Sequence, residues 1–265
     1  MMYDDHRSAI PDMDAYLSRI GLTREDITPR GRESLDKLIY AHQTHIAFEN
    51  LDACLYHVPY SLAVTDLFDK MVTRKRGGYC YEMNGLFARV LSDLGYDVIS
   101  VFCRIVNGRD FIPHCSHRGS LVRIGDDLLY CDVGYGGPQP PCSVLVEDGA
   151  ETVGHGEAFQ IRRYDSQWWC LSRTDSAGIR RDIIHFNTFA QTPQEFIPLN
   201  YFASHSPDSI FTQKIMLNRR TETGSVNLTD LVFTRIENGE RSSREFGSFE
   251  ETKDLLREEF FLEVP

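Results

Sequence analysis

The stretch RGGYCYEMNGLFARVLSDLG (residues 76–95) combines two glycines, a cysteine and an apolar repeat with the period of a helix. The apolar residues that share one helical face are Met83, Phe87, Val90, Leu91 and Leu94. Gly95 is the residue type that ends a helix, so the pattern predicts a helix from about Cys80 to Gly95. Glycines directly before Tyr79 and Cys80 permit a tight turn and a close approach of another backbone segment.

Cys80 therefore stands at a predicted helix N-terminus, which raises the question of whether it reacts. The free N–H groups and the positive end of the helix dipole would stabilise a thiolate there, and the same N–H groups could hold an oxyanion. The alternative is a buried structural thiol, which is the commoner role of an intracellular cysteine. A nucleophile also requires a base and a group that orients the base.

The remaining sequence predicts an α+β fold with segregated parts. A helical period covers 33–45, and an amphipathic helix is predicted near the end, over 252–264. Short β-rich segments follow Tyr96, with turn residues between them. Two hairpins are expected, one turning at Asp165-Ser166 and one at Asn238-Gly239.

Composition narrows the classes of function. The formal charge of −11 argues against a nucleic-acid partner, because phosphate binding needs a basic surface. The chain shows neither a signal peptide nor an apolar run near the roughly 18 residues that span a bilayer. Seven cysteines at irregular spacing are read as reduced thiols. We expect a soluble cytoplasmic protein with no membrane partner and no metal site.

Candidates for the base and the orienting group follow Cys80 in the chain. His114 and His117 both stand near the start of a predicted strand, and Asp132 stands between an apolar strand and a glycine-rich turn. An acid at a strand end is costly to bury without a partner but well placed to hold a histidine. The residues alone allow a Cys-His-Asp triad and leave open which histidine belongs to it.

Several motifs together resemble the arylamine N-acetyltransferase family. RGGYC (76–80), the histidine at 117 and DVGYGGP (132–138) match the RGG(W/Y/F)C, strand-edge histidine and DVG(F/Y)G motifs of that family. HIAFENL (45–51) and NYFASHSPDSIF (200–211) resemble two further segments. Two departures are Ala47, where the family usually has proline, and an extra residue between His205 and Pro207.

The resemblance implies roles for individual residues. Cys80 would accept the acetyl group, His117 rather than His114 would be the base, and Asp132 would orient its imidazole. Arg76 and Glu49 would form a structural ion pair beneath the site. The remaining implied positions are Phe48, Tyr135 and Phe211 for the substrate pocket, and Gly136, Gly137, Asn84 and His205 for the cofactor side.

The resemblance also implies an architecture and a reaction. The parts would be a helical bundle (1–94), a central β-barrel (95–195) and a C-terminal α/β lid (196–265), with a core like that of cysteine proteases. The reaction would be ping-pong transfer from acetyl-CoA to an arylamine, arylhydrazine or hydrazide through acetyl-cysteine. The alternatives are an amide synthase that uses a carrier-bound acyl thioester, a papain-like hydrolase, and a non-catalytic CoA-binding protein. The natural acceptor, donor chain length, oligomeric state and physiological role are not readable from the motifs.

Overall fold

The computed structural model describes residues 6, 8–27, 31–154, 156–175 and 177–264. Its α-helices are α1 (Met13–Arg19), α2 (Arg32–His45), α3 (Val64–Phe68), α4 (Cys80–Asp93), α5 (Ile197–His205), α6 (Ile210–Gln213) and α7 (Lys253–Phe260). The predicted helices are confirmed as α2, α4 and α7. Gly95 has a φ of +89°, a left-handed conformation that suits glycine and explains why α4 ends there.

The central strands form one eight-stranded sheet that nearly closes into a barrel. They are β2 (Asp97–Ile105), β3 (His117–Ile124), β4 (Asp127–Cys131), β5 (Val144–Leu145), β6 (Glu151–Gly154), β7 (Glu157–Arg163), β8 (Trp169–Thr174) and β9 (Arg180–Phe186). The order is β5-β4-β3-β2-β9-β8-β7-β6, and the edge strand β5 contacts β6 and β7 at the opposite edge. The predicted hairpin at Asp165-Ser166 is confirmed as the antiparallel pair of β7 and β8.

A second sheet holds the C-terminal strands and one short strand from the N-terminal part. Its strands are β1 (Phe48–Glu49), β10 (Met216–Arg220), β11 (Gly224–Thr229), β12 (Val232–Glu237) and β13 (Glu240–Glu245), in the order β1-β10-β11-β12-β13. The predicted turn at Asn238-Gly239 is confirmed, and both residues have positive φ, as a tight hairpin turn requires. The pairing of β1 with β10 was not predicted, and it ties the N-terminal part to the C-terminal strands.

The candidate residues Cys80, His117 and Asp132 lie where the helical core meets the barrel. The largest buried cluster combines α1–α4 with residues on one face of β3 and β4, such as Val122 and Leu129. A second cluster fills the barrel interior and includes Tyr130 and Phe186. Among the described residues, no helix is long and apolar enough to cross a membrane.

Candidate active site

The turn before α4 depends on two glycines that allow another backbone to approach. A Cβ at Gly77 would lie 2.1 Å from the carbonyl oxygen of Ala47, which no side chain can tolerate. Gly78 accepts a hydrogen bond from Glu49 N–H at 2.9 Å. The predicted close approach is therefore confirmed, and it fixes the segment that carries Cys80 against β1.

Cys80 is the first residue of α4 and is only 3% exposed. The Glu82 side chain caps this helix by accepting a hydrogen bond from Tyr79 N–H at 3.1 Å. Lys70 Nζ lies 2.8 Å from the other Glu82 oxygen. Burial raises the pKa of Glu82 to about 7, although Lys70 acts in the opposite direction. The nucleophile candidate thus sits on a helix start that is fixed by buried polar contacts.

Three segments meet at Cys80: the start of α4, the residues just before β3 and the turn after β4. Its Sγ lies 4.0 Å from the carbonyl oxygen of Ser116, the residue before β3. Gly134, in the turn after β4, is so close that a Cβ there would lie 3.1 Å from the Cys80 Cα. Each segment brings one triad candidate, because His117 begins β3 and Asp132 follows β4.

His117 and Asp132 are joined by a short hydrogen bond in a buried environment. His117 Nε2 lies 2.6 Å from Asp132 Oδ2, and the two residues are 1% and 2% exposed. A carboxylate accepts only, so Nε2–H donates and Nδ1 is the ring nitrogen left for another partner. His114 is exposed instead, with its ring 5.6 Å from that of Phe202. His117 is therefore the histidine that contacts the aspartate.

Asp132 is held by four hydrogen-bond donors. Its Oδ2 accepts from Tyr130 OH at 2.9 Å as well as from His117, and its Oδ1 accepts from Asn84 Nδ2 and Gly134 N–H, both at 2.9 Å. Burial raises the pKa of Asp132, but His117, Asn84 and Gly134 together hold it below its usual range. The carboxylate is therefore ionised and fixed in orientation.

The charge of His117 follows from these contacts. Burial alone would lower its pKa, but Asp132, with a smaller contribution from Cys80, raises it to about 10. His117 is therefore an imidazolium near neutral pH, with one proton on Nε2 toward Asp132 and a second on Nδ1, directed away from Asp132. This is the charge state that pairs with a thiolate.

The raised pKa of His117 predicts how stability depends on pH. The folded state binds this proton more tightly than the unfolded chain, whose histidine titrates near about 6.5. The stabilisation is complete below about pH 6.5 and is lost as pH rises through about 10. We expect the free energy of unfolding of the wild-type protein, measured by urea denaturation, to fall over this range of pH. It should fall less steeply in His117→Gln. The variant of exposed His205, His205→Gln, should keep the wild-type slope, and equal slopes in all three proteins would contradict the assignment.

Arg76 and Glu49 form an ion pair, within a larger buried cluster than the sequence indicated. Arg76 Nη2 lies 2.7 Å from Glu49 Oε1 and 2.9 Å from Asp52 Oδ1. Lys70 Nζ lies 2.7 Å from Asp52 and 2.8 Å from Glu82. The pKa of Lys70 is raised, because these carboxylates outweigh the burial that would lower it. Arg76 and Glu82 belong to this cluster and flank Cys80 in the chain, so the ion pairs hold the turn before Cys80 in place.

Two of the aromatic candidates, Phe48 and Tyr135, lie beside the glycine-rich turn after β4. The ring of Phe48 is 6.0 Å from that of Phe211, and the ring of Tyr135 is 6.0 Å from that of His117. A Cβ at Gly136 would lie 2.7 Å from the Phe48 ring, and Gly136 has a φ of +73°, so only glycine suits this position. A Cβ at Gly137 would lie 2.9 Å from the Tyr135 ring.

Of the two remaining cofactor-side candidates, Asn84 is buried and His205 is exposed. Asn84 is fully buried, and its amide contacts Asp132, the carbonyl of Arg118 and the N–H of Val133. These contacts hold the aspartate, and a cofactor role for Asn84 stays a prediction. His205 is exposed at the end of α5 and stacks on Tyr201 at 4.4 Å.

Sequence reasoning missed two residues that contact or neighbour the triad candidates. Tyr130 stands two positions before Asp132 at the end of a strand, so period-two alternation could have placed both on one face. Arg118 follows His117 directly and is buried. No sequence pattern marks it, because arginine is usually exposed.

Another grouping of cysteine, aspartate and histidine lies on the barrel. Ligand-type atoms of Cys170, Asp182 and His185 lie within 4.8 Å of one another on β8 and β9. Arg162 binds the Asp182 carboxylate at 2.6 Å. This grouping does not include Cys80, and its acid already has a cationic partner.

Comparison with known proteins identifies the family. Residues 33–265 match the sequence profile of a family described as N-acetyltransferase. The arylamine N-acetyltransferase of Escherichia coli strain K12 is 32% identical over 212 residues, which are 78% of this chain and 73% of that protein. The chain belongs to the arylamine N-acetyltransferase family.

Solved structures from this family share the whole fold. The arylamine N-acetyltransferase from Salmonella typhimurium superposes with a TM-score of 0.89 at 27% identity, covering 96% of this chain and 92% of that one. The Mycobacterium marinum arylamine N-acetyltransferase in complex with CoA gives a TM-score of 0.86 at 28% identity, covering 95% and 93%. The mixed α+β architecture with a nearly closed barrel is therefore the fold of the family.

Proposed function

We propose that this protein transfers an acetyl group from acetyl-CoA to an arylamine, arylhydrazine or hydrazide through an acetyl-Cys80 intermediate. The observation that carries the proposal is the buried hydrogen bond between His117 and Asp132 beside the helix start at Cys80. Membership of the arylamine N-acetyltransferase family and the CoA-bound relative support the choice of donor and acceptor.

In the first half-reaction, the Cys80 thiolate attacks the thioester carbonyl of acetyl-CoA. The bond between the carbonyl carbon and the CoA sulfur breaks, and the departing thiolate takes the proton that His117 carries on Nδ1. The products are acetyl-Cys80, neutral His117 and free CoA. One thioester replaces another, so the free energy changes little in this step.

In the second half-reaction, the acceptor nitrogen attacks acetyl-Cys80. Aromatic amines are neutral near pH 7, so the nitrogen lone pair is available without prior loss of a proton. His117 takes the excess proton from nitrogen as the tetrahedral intermediate collapses, and Cys80 leaves as a thiolate. An amide replaces a thioester, which makes this step downhill and restores the starting charges.

The surrounding residues are assigned supporting roles. Phe48, Tyr135 and Phe211 line the acceptor side, where an apolar surface keeps water from the acetyl-cysteine. Gly136 and Gly137 present backbone N–H groups on the side from which the CoA pyrophosphate approaches. The parts that carry these roles are the helical segment 1–94, the barrel segment 95–195 and the C-terminal segment 196–265.

Intact-protein mass spectrometry tests the proposal directly. Mixing the protein with acetyl-CoA in the absence of an amine should add one acetyl group, and peptide mapping should place it on Cys80. Addition of aniline or a hydrazide should discharge the adduct and release acetylated amine. A folded protein that forms no adduct with acetyl-CoA would contradict the proposal, and adducts with longer acyl thioesters alone would favour an amide synthase.

A further inference from the structure

The turn that follows β4 is poorly suited to hold its own shape by backbone hydrogen bonds. Its sequence, DVGYGGPQPP (132–141), contains three glycines, which lose the most freedom on folding, and three prolines, which have no N–H to donate. Buried carbonyl groups in such a segment need donors from elsewhere. Two side chains outside the turn, Gln43 of α2 and Arg220 of β10, supply them.

Gln43 binds both ends of the turn. It is 2% exposed, and its Nε2 donates to the carbonyl oxygens of Asp132 at 2.9 Å and Pro140 at 2.8 Å. Its Oε1 accepts from Arg220 Nε at 2.9 Å. A carbonyl only accepts and a guanidinium only donates, so these partners fix the orientation of the amide. One side chain therefore holds the two ends of the turn at a fixed separation.

Arg220 extends the same contacts to the C-terminal sheet and the barrel. It is buried, its Nη2 donates to the carbonyl oxygen of Gln139, and its Nη1 lies 3.0 Å from Glu157 Oε2 on β7. The side chain of Gln139 accepts a hydrogen bond from Tyr135 N–H at 3.1 Å. The network therefore runs from α2, β7 and β10 into the middle of the turn.

The residues that this network holds face the candidate site. A Cβ at Gly134 would lie 3.1 Å from the Cys80 Cα, and the ring of Tyr135 lies 6.0 Å from that of His117. Contact this close leaves the turn no room to move towards Cys80. A shift in the other direction would open the wall that the turn forms beside the triad candidates.

We propose that Gln43 and Arg220 are positioning residues, which hold the turn 132–140 at the distance from Cys80 and His117 that acyl transfer requires. The proposal rests on the proposed function, because it takes the turn as a wall of the site where the acetyl group is transferred. It assigns neither residue a contact with substrate or a proton transfer. Misplacement by about 1 Å can cost on the order of 10²-fold in rate, even when the change is remote from the chemistry.

The test compares Gln43→Met with Gln43→Glu. Methionine removes every hydrogen bond of the amide, whereas glutamate keeps an acceptor for Arg220 and, once ionised beside it, has no donor for the carbonyls of Asp132 and Pro140. We expect both variants to acetylate at Cys80 about 10- to 100-fold more slowly than the wild type at low acetyl-CoA concentration, measured by intact-protein mass spectrometry. A role confined to joining α2 to β10 predicts a wild-type rate in Gln43→Glu, and that result would overturn the proposal.

Hydrogen exchange gives a readout that needs no substrate. The N–H groups of Gly134 and Tyr135 are bonded to Asp132 Oδ1 and Gln139 Oε1 at 2.9 and 3.1 Å. We expect peptides that cover 133–140 to exchange about tenfold faster in Gln43→Met and Gln43→Glu, because the turn opens locally more often. Exchange in the strands of the two sheets should not change.

Thr44→Val is the matched control. Thr44 is the next residue of α2 and is also buried, and its hydroxyl donates to the carbonyls of Tyr40 and Ala41 in its own helix. It should keep the wild-type rates of acetylation and of exchange in the turn.

Arg220→Lys tests the second residue. One ammonium cannot bind Gln43, Gln139 and Glu157 together as the guanidinium does, so faster exchange in the turn is expected although the charge is kept. Should a variant not fold, Gln43→Asn gives the same comparison, since it keeps an amide and shortens its reach by one methylene. Wild-type exchange in the turn of both the Gln43 and the Arg220 variants would overturn the proposal, and so would faster exchange with unchanged acetylation.

The exchange experiment contains no acetyl-CoA, so its outcome is distinguishable from that of the acetylation experiment. A wild-type protein that forms no acetyl adduct would contradict the proposed function, whereas faster exchange in the variants would still support the hold of Gln43 and Arg220 on the turn. A wild-type protein that forms the adduct, with variants that exchange and acetylate at its rates, would overturn the positioning role alone.

Discussion

Cys80→Ala is expected to abolish acetyl transfer and to form no acetyl adduct with acetyl-CoA. The Cys80 thiolate is the only protein group in the proposed reaction that bonds to the acetyl carbon, so the acetyl-enzyme intermediate cannot form without it. Loss of a nucleophile of this kind typically lowers kcat by about 10⁶-fold. The measurements are amide formation with an arylamine and the mass of the intact protein after mixing with acetyl-CoA.

Cys115→Ala is the matched control for this experiment. Cys115 is a partly buried free thiol two residues before His117, so it lies close to the same segment without standing at a helix start. It should retain the wild-type rate and still acquire one acetyl group. Activity that survives in folded Cys80→Ala, or an adduct that maps to another cysteine, would contradict the assignment of the nucleophile.

The helices and hairpins were predictable because their signals are local. The helical periods of 33–45 and 80–94 and the hairpin turns at Asp165-Ser166 and Asn238-Gly239 depend on residues a few positions apart, and each was confirmed. The pairing of β1 with β10 joins Phe48 to Asn218 across 170 residues. Two residues give too short a pattern to predict a strand, and nothing local specifies a partner so far along the chain.

The sequence suggested the residues of the candidate triad but not the buried residues that contact them. Spacing and residue type suggested Cys80 and Asp132, and the family resemblance was needed to choose His117 over His114. The contact between His117 and Asp132 agrees with that choice. The contacts of Asn84 and Arg118 depend on which backbone and side-chain atoms face them in three dimensions. A sequence presents Arg118 as one more surface arginine, and only its burial beside Gly85 distinguishes it.

Asp132→Asn is expected to lower kcat/KM for acetyl transfer on the order of 10³- to 10⁴-fold, by analogy with loss of the orienting acid in other triads. Both carboxylate oxygens of Asp132 accept two hydrogen bonds each. An asparagine amide has one oxygen and one NH₂ group, so in either orientation two buried donors face another donor. If the NH₂ group faces His117, the imidazole must present Nε2 as an acceptor, which places its proton on Nδ1 in a neutral ring. The imidazolium that pairs with Cys80 is then lost, and the rates of acetylation and of iodoacetamide alkylation should fall together.

Asp182→Asn provides the control, because Asp182 also stands near a histidine and a cysteine and is bound by Arg162. Its side chain is 38% exposed, so water can satisfy the changed amide, and no loss of acetyl transfer is expected. The same substitution at Asp132 leaves buried donors unpaired, so Asp132→Asn should also lower the free energy of unfolding by about 1–3 kcal/mol. That loss alone could not explain a thousandfold drop in rate in protein shown to be folded at the assay temperature. A folded Asp132→Asn variant within tenfold of the wild-type rate would show that His117 does not need this acid, and a large loss in Asp182→Asn would direct attention to the barrel cluster instead.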